Sequence, residues 1–279
     1  MKGETFVVES WVELQEVLYE DSWTPDLNRF RSSYVYRGME DVAYDLSTSL
    51  NRLGESHLER HLLRNFRKYS QIDDEKKSIW NWLALAQHHG LPTRLLDWTY
   101  SPYVALHFTT NDFTKYESDG VICAVNYVDS KMYLPDQLKV IIDNEGSHIF
   151  TAEMLDQAAH SLEDLQGLKQ EDFAVFFEPP SLDQRIVNQY AVFSMLSNPD
   201  VQLDTWLESK EIRYFRIVIP AALKWEIRDK LDQSNINERV LFPGLDGLAT
   251  WLKRHYVDIR KPRSARHPIR SEEGKMRKL

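Results

Sequence analysis

Between Gln87 and Phe108 the chain reads QHHGLPTRLLDWTYSPYVALHF, an order that leaves little freedom for how the neighbouring chain folds. The stretch leading into it, Ser78 to His89, places Ile79, Trp82, Leu83 and Ala86 on one helical face, and Gly90 and Pro92 supply the stop signals. Gln87 and His88 therefore sit in the last helical turn. After the Gly-Leu-Pro turn, TRLLDW reads as a short buried strand, and Ser101-Pro102 as the cap and first turn of a helix running to Phe108. This tight helix-turn-strand junction is dense in hydrogen-bonding groups: Gln87, His88, Thr93, Arg94, Asp97, Trp98 and Thr99. A buried, unpaired Asp97 would be costly, so it must meet Arg94, Arg37, a histidine or a ligand. His88 has two readings, a helix C-cap complementing the macrodipole or a functional group.

The flanking chain mixes both periodicities. Trp11, Leu14, Val17 and Leu18 predict a helix over 9–20, and Ser56 with Glu59 reads as a capping box opening a helix over 57–69. Helices are also predicted at 151–166, 221–233 and 245–256. Strands are predicted at 34–37, 120–128, 173–177, 190–195 and 212–219. Because these do not strictly alternate, the expected class is α+β, with a mixed, largely antiparallel sheet flanked by helices, rather than a doubly wound parallel fold. No internal repeat and no Gly-rich phosphate loop of the dinucleotide or Walker type is present in the sequence.

Composition narrows the setting. Hydrophobic residues make up 42% and charged residues 28%, and no run approaches the roughly 20 apolar residues that span a bilayer, so no membrane association is expected. MKGETFVVESW does not read as a secretory signal, and a single cysteine, Cys123, allows no internal disulfide; both point to a reducing, cytoplasmic location. Cys123 lies in an apolar strand and reads as a buried small hydrophobe rather than a nucleophile. Adjacent His88 and His89 cannot easily face one metal from a helix, so no metal site is expected. The net charge is −9, but residues 260–279 hold eight Lys/Arg against two acidic residues, leaving −15 on the rest. The chain thus divides into a domain over 1–259 and a basic tail over 260–279, read as a flexible, solvated extension unless it contacts nucleic acid.

Tyr36-Arg37-Gly38 completes the candidate site. An arginine at a strand end, followed by a glycine that lets the backbone turn, suits a phosphate, carboxylate or ribose; the alternative is a structural arginine paired with an acid. Trp98 is the candidate stacking platform.

The YRG triplet, the downstream Leu46, Ser49, Leu50 and Arg52, and above all residues 87–108 resemble the FRG domain. Arg185, Ile186, Gln189 and Phe193 match its later Arg-Ile-x-x-Gln pattern, so the similarity spans roughly residues 10–220. Tyr44, Thr48 and Ala191 stand where tryptophan, proline and glycine are frequent. The family has mostly unassigned activity and occurs in prophage, plasmid and defence settings.

The order of segments also resembles ADP-ribosyltransferases, where such an arginine anchors NAD, a polar strand shapes the nicotinamide pocket and a late Glu or Gln contacts ribose or acceptor. That resemblance implies an ADP-ribosyltransferase-like core and an enzyme consuming NAD, a toxin or phage-defence effector with a nucleic-acid, small-molecule or protein acceptor. Arg37, Asp97, Gln189 and His88 would be catalytic, and Tyr36, Arg37, Gly38, Thr93, Arg94, Trp98 and Thr99 would bind NAD. Glutamine supplies no negative charge, so Asp97 or Glu178 is the alternative acid. Two other functions stay open: a nucleotide- or nucleic-acid-binding module without turnover, and a metal-dependent nuclease. Oligomeric state is left open.

Overall fold

The computed structural model describes residues 2–71, 77–181 and 183–256; the tail over 260–279 lies outside them. Eight strands form one sheet: β1 (Lys2–Val7), β4 (Tyr34–Met39), β5 (Leu96–Thr99), β6 (Gly120–Asn126), β7 (Phe150–Thr151), β8 (Ala174–Glu178), β9 (Ala191–Leu196) and β10 (Tyr214–Ile219). The short strands β2 (Trp23–Thr24) and β3 (Arg29–Phe30) pair with each other outside it. The sheet order is β1-β10-β6-β4-β5-β9-β8-β7, antiparallel throughout except for the parallel pairs β1–β10 and β7–β8. The α+β expectation of a mixed, largely antiparallel sheet therefore holds. β6 is buried at every position, which is why its sequence is an unbroken apolar run rather than an alternation. Among the described residues no helix is long and apolar enough to cross a membrane.

Helices cover both faces. Of those that build the site, α1 (Trp11–Tyr19), α4 (Ile79–His88) and α5 (Pro102–Thr109) are capped by Ser10, Ser78 and Ser101, each accepting a backbone N–H. α2 (Ser49–Leu53) carries a capping box from Thr48, and α3 (Glu59–Tyr69) follows a short 3-10 turn. The box expected from Ser56 and Glu59 does not form. Glu59 instead accepts from the backbone N–H and Nε of Arg94, at 2.9 and 2.7 Å, because a buried guanidinium takes precedence over an N-cap amide. The helix expected over 151–166 is two, Ala152–Ala158 and Leu162–Gly167. The break falls where Ala159 turns extended, its carbonyl receiving Trp80 Nε1, and Ser161 caps the second piece.

Buried side chains divide between the two faces. Tyr36, Ala105, Leu106, Ile122 and Ala124 pack on one; Val35, Met39, Trp98 and Cys123 pack on the other. β4 does not end at Arg37, as the sequence suggested, but runs on to Met39, pairing with β6 at six positions from Tyr34 to Met39. Gly38 is thus a strand-interior residue, and its role is not to turn the chain. A Cβ there would lie 1.8 Å from the carbonyl oxygen of Ala105, so the missing side chain is what lets α5 lie directly on β4.

Candidate functional site

The sheet is split at its middle. β4 and β5 pair only at Tyr36–Thr99, although β4 stays paired with β6 and β5 with β9. A cavity of about 840 Å3 occupies the opening. Its walls come from both faces of the sheet: Gln87 and His88 of α4 with Phe108 of α5, and opposite them Tyr44, Asp45 and Arg52.

Arg37 lies in the split. Its Nη1 donates to the carbonyl oxygen of Asp97 at 2.6 Å, replacing a ladder bond that the separated strands cannot make. The Asp97 carboxylate is 3.9 Å away and accepts from Gln87 Nε2 at 2.8 Å. Gln87 Oε1 in turn accepts from Thr93 Oγ1 at 2.6 Å, and Thr93 Oγ1 accepts from the Leu95 N–H at 3.1 Å. This chain of bonds explains the spacing of Gln87, Thr93 and Asp97: the glutamine at the helix end ties the turn to the strand. Asp97 therefore meets Arg37 and Gln87, not Arg94. Burial lowers the Arg37 guanidinium from its ordinary value; Asp97 opposes that shift and nearby Arg52 adds to it. Arg37 Nε is buried without a partner among the described residues.

The expected ligand-binding set divides. Tyr36, Arg37, Gly38, Trp98 and Thr99 reach the cavity wall, as do His88, Asp97 and Gln189. Thr93 and Arg94 do not line it. Thr93 is buried and orients Gln87. Arg94 is buried against Glu59 and donates to the Ser197 carbonyl at 2.8 Å, tying α3 to the end of β9. Trp98 is no stacking platform: its ring is 3% exposed, packs on Phe176 and donates to Ser194 Oγ at 2.8 Å. The Tyr36 hydroxyl is held by Ser32 and the Leu18 carbonyl on the α1 side. Thr99 Oγ1 donates to the Gln189 carbonyl at 2.7 Å.

His88 does not cap α4; His89 occupies that position, while His88 Nε2 lies 2.6 Å from Asp183 Oδ2. Asp183 also caps the helix Gln184–Asn188. Although burial acts the other way, the Ile186 N–H and His88 hold its carboxyl below the usual range. Gln189 is not on a late strand. It ends that short helix, Tyr190 follows with φ +52°, and β9 begins only at Ala191. Gln189 Nε2 donates to the Leu241 carbonyl at 3.0 Å. Glu178, the alternative acid, ends β8, accepts from the Tyr100 hydroxyl at 2.9 Å and is not in the cavity wall. Cys123 is buried on β6, its thiol pushed up to about 11 by desolvation, in keeping with an inert core residue.

Sequence reasoning assigned no chemistry to Glu40, Tyr44, Asp45, Phe108, Arg52 or Arg185, all in the wall. Arg52 Nη1 donates to the Ser47 carbonyl at 2.6 Å, and the Arg185 guanidinium lies over the Phe242 ring at 5.0 Å. Both arginines belong to the motif quoted above, which was the signal for them. Tyr44, at a position where the family often has tryptophan, supplies a half-exposed aromatic ring. Glu40 and Asp45 carry no such signal, because only the loop after β4 brings them back to the cleft.

No curated protein and no solved structure matches the chain. A family model does match, over residues 32–118, narrower than the 10–220 span read from the sequence and short of the Arg185–Phe193 segment. The matched residues are those that build the split: β4 with Arg37, the Gln87-to-Asp97 bonds, and α5 on Gly38. The model is that of the FRG domain, so over this stretch the chain is similar to that family.

Proposed function

We propose that the protein binds NAD in the split-sheet cavity and transfers its ADP-ribosyl group. The observation that carries this reading is convergence: of the segments that the ADP-ribosyltransferase resemblance picks out, Arg37, the last three residues of Thr93–Thr99 and Gln189 line one cavity although about 150 residues of sequence separate the first from the last. The volume is in the range of small-molecule sites. Arg37 and Arg52 put two guanidinium groups in one cavity wall, an arrangement suited to an anion. In the proposed complex these two hold the diphosphate, Tyr44 and Phe108 offer ring faces, and polar groups of the cavity wall steady the cation-like ribose as nicotinamide leaves.

One observation favours a second reading, a nucleotide-binding module without turnover: the Gln189 amide is spent on the Leu241 carbonyl. Nicotinamide release from NAD, measured with DNA, RNA or cell lysate as acceptor, separates the two. Release that Arg37→Ala abolishes supports the transferase. Tight NAD binding without release in any mixture supports the module, and neither binding nor release overturns both.

A further inference from the structure

The reaction proposed above needs a negative charge beside the ribose, and neither Gln189 nor Glu178 supplies one. Among the described residues three carboxylates line the cavity, Glu40, Asp45 and Asp97. Asp97 already accepts from Gln87, and Asp45 Oδ1 accepts from the Ser47 N–H. Glu40 accepts from its own backbone N–H and has no side-chain donor among the described residues. It is also held in place. Lys224, 0% exposed, donates through Nζ to the Glu40 carbonyl at 2.6 Å and to the Lys115 carbonyl at 2.8 Å. Removing an ammonium from water is unfavourable unless its donors are satisfied, so this contact pins the chain where it leaves β4, three residues beyond Arg37.

We propose that Glu40 is the carboxylate of the reaction, facing the ribose of NAD held by Arg37. This rests on the transferase reading. The bond between C1′ of the nicotinamide ribose and the ring nitrogen breaks, and its electron pair leaves with neutral nicotinamide. The ionised Glu40 offsets positive charge at C1′, the acceptor hydroxyl or water forms the new C1′–O bond, and Glu40 takes the proton that oxygen loses. The charged groups that act on its carboxyl are Asp112 after α5, Lys224 on the helix Lys224–Gln233 and Arg37 on β4. Burial, and after it Asp112, push the Glu40 carboxyl above its ordinary value, against its own backbone N–H and the two cations.

The test is Glu40→Gln beside Glu40→Asp, with thermal melting to verify folding, calorimetric NAD affinity, and nicotinamide release as a function of pH. The expected result is release at least about 100-fold slower in Glu40→Gln, NAD affinity within about threefold of wild type, loss of the acidic limb of the pH profile, and partial recovery in Glu40→Asp. Release by Glu40→Gln within about threefold of wild type overturns the role of Glu40 and leaves the transferase standing. A loss of rate matched by an equal loss of affinity also overturns it, assigning Glu40 to binding. Absence of release by folded wild-type protein overturns the transferase reading, and the role of Glu40 with it.

Discussion

Arg37 Nη1 and the carbonyl oxygen of Asp97 meet at 2.6 Å across the gap where β4 and β5 stop pairing. The guanidinium thus has a structural task, satisfying an orphaned strand carbonyl, while the residue also lines the cavity. The two readings of Arg37 in the sequence, structural or ligand-binding, are not exclusive in this arrangement.

Arg37→Ala should weaken NAD binding by roughly 10- to 100-fold, the worth of one or two charge-assisted hydrogen bonds. Arg37→Lys should recover little, because an ammonium cannot bond the Asp97 carbonyl and an anion through a rigid fork. Calorimetry on both variants checks this; full affinity in Arg37→Lys would mean that only the charge matters.

Gly38→Ala puts a methyl 1.8 Å from the Ala105 carbonyl oxygen and forces α5 off the sheet. The expected cost is about 3 kcal/mol or more, which lowers Tm by roughly 6–12 °C in a chain of this size. Differential scanning fluorimetry would show it, and an unchanged Tm would contradict the close approach.

Arg94→Met leaves Glu59 buried without its cation, holding only the backbone N–H of residue 94, and should cost roughly 3–5 kcal/mol of stability. Ligand affinity of the folded fraction should not change, since Arg94 lies outside the cavity wall. Denaturant unfolding together with NAD titration distinguishes this from the cofactor-binding role that the sequence suggested.

His107 is buried on α5 and accepts from Arg228 Nη1 at 2.8 Å; burial and Arg228 depress its pKa from 6.5 to about 3. The folded state holds the ring neutral, so its contribution to stability is complete above pH 6.5 and is lost as pH falls toward about 3. From this residue alone, stability should fall by about 1.4 kcal/mol per pH unit in that window. His107→Gln, which keeps an acceptor for Arg228, should flatten the slope between about pH 6.5 and 5 in urea titrations; an unchanged slope would place the titration elsewhere.

The sequence by itself determined the local architecture around the site. Ser101 caps α5 where the sequence placed a cap, α4 ends at His88 with Gly90 following at φ +80°, and apolar β6 lies where its run of β-formers stood. These outcomes rest on interactions within a few residues, which a sequence displays directly. Long-range choices decided the rest. Whether Glu59 caps a helix or pairs with Arg94 depends on where α3 lands, and Trp98 could be recognised as core only once Phe176 and Ser194 lay beside it. The split between β4 and β5 is likewise a property of the whole sheet. Each strand keeps its other neighbour, so the cleft opens where Gly38 draws α5 down onto β4 and Arg37 takes the place of the missing ladder, and Glu40, unremarkable in the sequence, becomes a carboxylate of the cavity wall with no side-chain donor among the described residues.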